Sequence, residues 1–264
     1  MTDLKHLQNV ILLIAKDIDQ ICRKHGIEYY LLGGSCIGAI RHNGFIPWDD
    51  DLDIIMTSDN YYKFLSVAKK ELSSEKYYIQ EGLKDWPLDF SKVRLKGTIF
   101  EEDDDTDVSS DQSGIFVDVF RLDNISDSNF KARVHYILYK YYLCYQLSER
   151  SYKNATFKKK LMMFMAAPLK IRFIRNLLIK WLKKQDAYTT NRLAFLCGRT
   201  RFKTAITQKT IYGKPTYVKF EDTYLPVPEK YHQYLTQMFG DYMTLPPEEQ
   251  RHSQHLKSIN FGAY

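Results

Sequence analysis

The chain has 264 residues, 44% of them hydrophobic and 27% charged, with a formal net charge of +6; this balance excludes a disordered or low-complexity protein and fits a globular one. Cys22, Cys36, Cys144 and Cys197 are widely spaced and form no CxxC pair, so no zinc site or disulfide framework is expected and a reducing compartment fits. The first apolar stretch is broken by Lys16, Asp17 and Asp19, and the longest uncharged apolar run in the middle of the chain, Leu161 to Leu169, is too short to span a bilayer, so a cytoplasmic location is expected.

Leu4, Leu7, Ile11, Ile14, Ile18 and Ile21 recur every three or four residues and predict an amphipathic helix from residue 3 to about 25, stopped by Gly26. Its stripe reads as core packing, with a coiled-coil partner as the alternative. Ile27 to Leu32 reads as a strand that breaks at Gly33-Gly34-Ser35, where a short helix starts with Arg41 and His42 at its end. Asn43-Gly44 turns the chain, and Trp48 leads into Asp49-Asp50-Asp51-Leu52-Asp53-Ile54-Ile55. Read as one strand, this segment puts Asp49, Asp51 and Asp53 on one face and turns Leu52 and Ile54 to the core. Carboxylates aimed at one point repel unless a divalent cation lies between them, and hard oxygen ligands suit Mg²⁺ or Mn²⁺. The N–H groups at Gly34-Ser35 offer a phosphate cradle, and a cradle beside metal carboxylates is what phosphoryl transfer requires. Alone, an Asp-x-Asp is a solvated turn or a cap and a Gly-Gly-Ser a linker; their proximity, each beside an apolar strand, favours a site.

Thr57-Ser58 caps a helix expected over Asp59 to Leu72, and strands are expected over Tyr77 to Gln80 and Phe90 to Leu95, the second with Lys92 and Arg94 on one face. Glu101 to Asp107 holds six acids in seven residues and reads as a solvated loop, with a second metal site as the alternative. In the strand Gly114 to Phe120, Asp118 shares a face with Phe116 and Phe120. A carboxylate there is costly to bury unless paired or bound to a cation, which makes Asp118 the candidate third metal carboxylate; the alternative is an Asp capping a backbone turn. Asp123 is expected in a turn before the next helix.

Helices are expected over Phe130 to Leu147, Thr156 to Met165, Leu169 to Lys184 and Ala187 to Leu196, giving a helical subdomain over 127–200. Ser151 to Gln185 contains ten Lys or Arg and no Asp or Glu; without those cations the net +6 would be −4. Three readings compete: a solvated helix packed on the core, a basic amphipathic helix on an anionic membrane surface, and nucleic-acid binding. No nucleic-acid partner is expected, because no nucleic-acid module accompanies the charge. Tyr217 to Leu225 reads as a hairpin around Glu221-Asp222. A helix over Glu229 to Phe239 follows, ended by Gly240-Asp241-Tyr242, with Pro246-Pro247 and Arg251-His252 beyond.

From Gly34 to Asp53, through Gly38-Ala39, Arg41-His42, Gly44-Phe45-Ile46-Pro47-Trp48 and Asp49-Asp50-Asp51, the chain resembles the signature of the LicD-type phosphocholine transferases, relatives of fukutin-related protein in the nucleotidyltransferase superfamily. Asp118-Val119-Phe120 is similar to that family's later-strand Asp. The proline-led helix, Phe239-Gly240 turn, paired prolines and Arg251-His252 are similar to its C-terminal pattern. The resemblance covers about 1–123 and 211–256, leaves the helical middle out, and implies an α/β (α+β) fold with a nucleotidyltransferase-like mixed-sheet core; together with the helical pattern this gives a core over 1–126, an inserted basic helical subdomain over 127–200, and a part over 201–264 that completes the catalytic domain. It implies transfer of a substituted phosphate, phosphocholine first, from a CDP-linked donor such as CDP-choline to a sugar hydroxyl of a surface glycan, with a lipid-linked acceptor and CMP released. Relatives use CDP-ribitol, so the head group stays open.

In that reading Asp51, Asp53 and Asp118 hold Mg²⁺ or Mn²⁺, and Asp49 binds a second metal or orients the acceptor. Gly34 and Ser35 cradle a donor phosphate. Arg41, His42 and Lys92 neutralise charge on the leaving group, with a helix C-cap as the alternative for His42; Arg94 joins Lys92 by strand alternation alone. A choline ammonium would call for aromatic faces, of which Trp48 and Trp86 are candidates. The rivals are an Asp-x-Asp glycosyltransferase or another nucleotidyltransferase and, outside enzymes, a basic membrane-binding module.

Overall fold

The structure is a computed structural model and describes residues 2–102, 113–149, 156–198, 200–252 and 256–264. In chain order the helices and strands are α1 (Thr2–His25), β1 (Tyr30–Leu31), α2 (Gly33–His42), β2 (Asp53–Thr57), α3 (Ser58–Glu71), β3 (Tyr77–Gln80), β4 (Ser91–Leu95), β5 (Ile99–Glu102), β6 (Phe116–Ile125), α4 (Asn129–Ser148), α5 (Phe157–Met165), α6 (Arg172–Asp186), β7 (Arg192–Ala194), α7 (Phe202–Ala205), β8 (Ile206–Gln208), α8 (Lys209–Tyr212), β9 (Thr216–Phe220), β10 (Thr223–Val227), α9 (Tyr231–Phe239) and β11 (Leu256–Asn260).

The central sheet runs β1-β2-β6-β4-β3, and β7 extends it from the far end of β6 to β8. β2 and β6 are parallel, and the other pairs are antiparallel; the fold is a mixed α+β one, as expected. The stripe of α1 (Leu7, Ile11, Ile14, Ile18) is fully buried, and α1 and α3 pack on β6. A second cluster of buried residues gathers Tyr139, Tyr142, Leu169, Leu182 and Leu196 with Ile125 around α4 and α6.

Three expectations are corrected. The segment from Asp49 to Leu52 is not strand; β2 starts at Asp53. Two of its carbonyls are taken by other partners: Gln8 Nε2 of α1, which also reaches Ile46 O (3.2 Å), donates to Asp49 O (2.9 Å), and Asp118 N donates to Leu52 O (3.1 Å). Asp123 is no turn residue. It lies inside β6, buried, accepting from Arg121 Nε (2.5 Å) and Ser58 Oγ (3.3 Å). The helix expected over Ala187 to Leu196 is replaced by β7, because Arg192-Leu193-Ala194 completes the ladder of Asp123-Asn124-Ile125; pairing overrides the local helical pattern. The acid run beyond Glu102 lies outside the described residues, as do 150–155 at the start of the basic segment.

Candidate active site

The site is assembled where three strands lie side by side. Asp53 of β2 is in register with Asp118 of β6, and Asp118 with Lys92 of β4, which in turn faces Gln80 of β3. Directly paired residues project to the same face of a sheet, so Asp53, Asp118, Lys92 and Gln80 form one transverse row. Lys92 Nζ lies 3.2 Å from Asp118 Oδ1, with the lysine side chain only 2% exposed.

α2 starts at one end of this row. Leu32 is its N-cap, with no side-chain cap, and first-turn N–H groups have no intrahelical acceptor. The Tyr234 hydroxyl of α9 accepts from Gly33 N (3.2 Å), and Ser35 Oγ accepts from Asp53 N (2.9 Å). The Ser35 hydroxyl therefore ties the helix start to the first residue of β2. A Cβ at Gly34 would stand 3.0 Å from Asp49 Oδ2, so the absent side chain lets the Asp49 carboxylate lie against the helix start.

The electrostatics follow from this crowding. Asp53 has its pKa raised well above the usual carboxylate range, first by burial, then by the charges of Asp51 and Asp118, with Asp49 adding and Lys92 opposing. The four carboxylates expected from the sequence thus share one neighbourhood. Among the described residues, no three of His, Cys, Asp and Glu converge into a ready-made metal shell. The donor chemistry nonetheless fits a hard divalent cation: an all-carboxylate set, one member of which is held toward its neutral form by burial and then by its neighbours, is relieved by positive charge.

Arg41 and His42 close the other side. Arg41 Nε donates to His42 Nε2 (2.9 Å), and Nη1 donates to the carbonyls of Tyr242 (2.7 Å) and Thr244 (3.3 Å). Burial lowers the Arg41 pKa, with Asp49 opposing and Arg251 adding to the drop. Burial and then Arg41 lower that of His42, which favours the neutral ring that accepts from Arg41 Nε. Its ring meets Trp48 edge-on at 6.2 Å, and the Arg251 guanidinium lies 5.7 Å from the Trp48 ring. Arg94 is buried beside the row, donating to Gln80 Oε1 (2.8 Å) and Gly114 O (2.9 Å).

An aromatic wall flanks Lys92. Its Nζ lies 3.4 Å from the Phe116 centroid, 5.4 Å from Trp86 and 5.7 Å from Phe90. Trp86 meets Phe90 edge-on at 4.5 Å, and Phe90 packs on Phe120 at 4.5 Å. Trp86, Phe90 and Phe120 are each half-buried.

Several residues that build this site carry no motif. Gln8 and Glu221 hold the loop after α2; Glu221 Oε1 accepts from Phe45 N (3.2 Å), and Glu221 N donates to Asn43 O (2.7 Å). Asp50, inside the motif but on no expected face, is buried. Tyr234 and Arg251 reach the site from more than 190 residues away in sequence. The tyrosine had no sequence signal, whereas Arg251 falls in the C-terminal pattern.

Comparison with known proteins matches residues 26–132 to the family model "LicD/FKTN/FKRP, nucleotidyltransferase domain". A lipopolysaccharide cholinephosphotransferase of Haemophilus influenzae is 31% identical over 265 aligned positions that cover 96% of each chain. Uncharacterized proteins of Rickettsia prowazekii and Rickettsia typhi are 44% identical over 50 residues, 19% of this chain. An alignment that runs through α4–α6 as well as the Gly34–Asp53 block likens the whole architecture, not a motif alone, and the chain belongs to the LicD family.

Proposed function

We propose that this protein transfers phosphocholine from CDP-choline to a sugar hydroxyl of a surface glycan and releases CMP. The observation that carries the reading is the row Asp53–Asp118–Lys92 set beside the start of α2, whose N-cap residue Leu32 offers no side-chain cap. An anion cradle and a set of carboxylates at one place are compatible only if a cation joins them. Likeness to the Haemophilus relative, a lipopolysaccharide cholinephosphotransferase, supports the head group and the glycan acceptor.

Asp51, Asp53 and Asp118 would hold Mg²⁺ or Mn²⁺, which would supply charge neutralisation on the diphosphate. The backbone N–H groups of Gly34 and Ser35 receive a phosphate oxygen. Lys92 stabilises negative charge beside Asp118, and Arg94 fixes Gln80, the register partner of Lys92 on the neighbouring strand. Arg41, anchored to the Tyr242 and Thr244 carbonyls, and Arg251 present positive charge from the Trp48 side. His42, neutral, orients Arg41 by accepting from Nε. Asp49, at the helix start beside Arg41, takes the proton of the acceptor hydroxyl. The acceptor oxygen bonds to the phosphorus that bears choline, the bond from that phosphorus to the bridging oxygen breaks, and CMP leaves with the electron pair. The choline ammonium rests on the faces of Trp86, Phe90 and Phe120.

Thermal melts test the donor. CDP-choline with Mg²⁺ should raise Tm, in line with about 2.7 kcal/mol at a hundredfold excess over Kd, and a chelator should abolish the rise. Trp86→Ala should weaken the response to CDP-choline several-fold while leaving that to CMP unchanged. An equal rise with a UDP-sugar, or equal loss of both responses in Trp86→Ala, would contradict the assignment.

A further inference from the structure

α6 has two apolar faces. Leu178, Ile179 and Leu182 turn inward toward α4, with Arg175 donating to Tyr145 Oη (2.9 Å) and Leu169 O (3.2 Å). Phe173, Ile174 and Leu177 are exposed, Phe173 at 76%. The same holds for α5, where Phe157, Leu161, Phe164 and Met165 recur at helical spacing on the side away from the protein, with Phe157 at 80% and Phe164 at 77% exposure. Periodic apolar stripes normally face a core; these face solvent.

Charge says what covers them. Lys160, Lys170, Arg172, Lys180, Lys183 and Lys184 are all exposed around the same residues, in a stretch of sequence with no acid between Ser151 and Gln185. At 100° per residue, Lys180 and Lys184 continue the line of Phe173 and Leu177 along α6. The outward face therefore reads apolar in its first half and cationic in its second. A folded partner of ordinary composition would leave most of these cations unmatched. A polyanion such as nucleic acid would match them but give large apolar side chains no place to go. An anionic lipid surface takes both: acyl boundary for Phe, Leu and Met, headgroup phosphates for Lys and Arg.

We propose that α5 and α6 form a peripheral docking surface for an anionic bilayer, inserting Phe157, Phe164, Phe173 and Leu177 to headgroup depth with the lysines against lipid phosphates. Among the described residues no helix is long and apolar enough to cross a membrane, so the contact lies in the interface. None of these residues belongs to the row of Asp53, Asp118 and Lys92, so loss of docking and loss of the transfer reaction are separate outcomes.

The test is co-sedimentation of the full chain with vesicles of phosphatidylcholine alone and of phosphatidylcholine with 30 mol% phosphatidylglycerol, a composition set by the experiment and on the order of an anionic leaflet. Binding is expected to the anionic vesicles only and should weaken with salt, because exposed charges are screened beyond about 8 Å at physiological ionic strength. Replacing Lys180, Lys183 and Lys184 by Gln should lower the partition coefficient roughly 100-fold, at about 1 kcal/mol per cation. Phe164→Ser with Phe173→Ser and Leu177→Ser should also abolish binding, with Tm and metal-dependent donor binding unchanged since all three are exposed. Equal binding to neutral and anionic vesicles, or none to either, overturns the proposal. So does binding to a single-stranded polynucleotide in place of vesicles, or a dimer in light scattering that the Ser variant dissociates, which would assign the face to a second copy.

Discussion

Gly38 shows how a single atom positions the site. A Cβ there would stand 2.5 Å from Gly44 O and 3.1 Å from Ile46 N, so α2 and the loop that leads to the carboxylates touch backbone to backbone. Asn43 makes the turn in the left-handed region, at φ +54°. Gly38→Ala should push residues 43–50 away from α2, cost about 1–3 kcal/mol, and lower kcat far more than that loss of stability would explain; kcat within twofold of wild type would mean the loop position is not critical. Asp53 gives the opposite kind of test. Its carboxyl is disfavoured as an anion by burial, Asp51 and Asp118, so Asp53→Asn should melt no lower than wild type in chelator and have no turnover. The Asp51→Asn variant should behave alike. Activity of either within tenfold of wild type would remove it from the metal site. Asp53 was legible because the sequence crowds its acids; Asp50, buried from the same run, was not, because an Asp-Asp-Asp string does not say where a strand begins.

Whole elements were legible wherever a local period matched the tertiary environment. The isoleucine stripe of α1 and the hairpin of β9 and β10 stand as the sequence predicts. β7 did not, because three residues take their structure from the end of β6, about seventy residues earlier, and no local pattern carries that pairing. Nor did β5 and β11, which pair the middle of the chain with its last residues. The packing of α4 on α6 carries its own prediction. His135 is 2% exposed and stacks edge-on against Trp181 at 5.7 Å, and its Nδ1 has no hydrogen-bond partner among the described residues. Burial lowers its pKa to about 4, against a small opposing effect of Asp186. A histidine lowered in the folded state binds its proton first in the unfolded chain, so its contribution to stability is present above the ordinary 6.5 and is lost as pH falls toward 4. The loss is at most about 3 kcal/mol. His135→Phe keeps a ring against Trp181 and should flatten that part of the urea midpoint against pH; an unchanged slope would contradict it.

At the scale of the molecule, the sheet brings together charges that the sequence scatters. Lys92, Asp118 and Asp53 come from three strands; Gln8 and Glu221, which hold the loop above them, and Tyr234, which meets the start of α2, come from both ends of the chain. That is why the Gly34–Asp53 block pointed to the family but not to the distant residues that hold its loop in place. In the proposed reaction this assembly moves a substituted phosphate and not a nucleotide or a sugar. Mass spectrometry of the glycan, with nucleotide analysis of the same reaction supplied with CDP-choline and Mg²⁺, tests it most directly. CMP should form in step with a glycan that gains one phosphocholine. Release of pyrophosphate from a triphosphate donor, or a glycan that gains a sugar and no phosphorus, would contradict it.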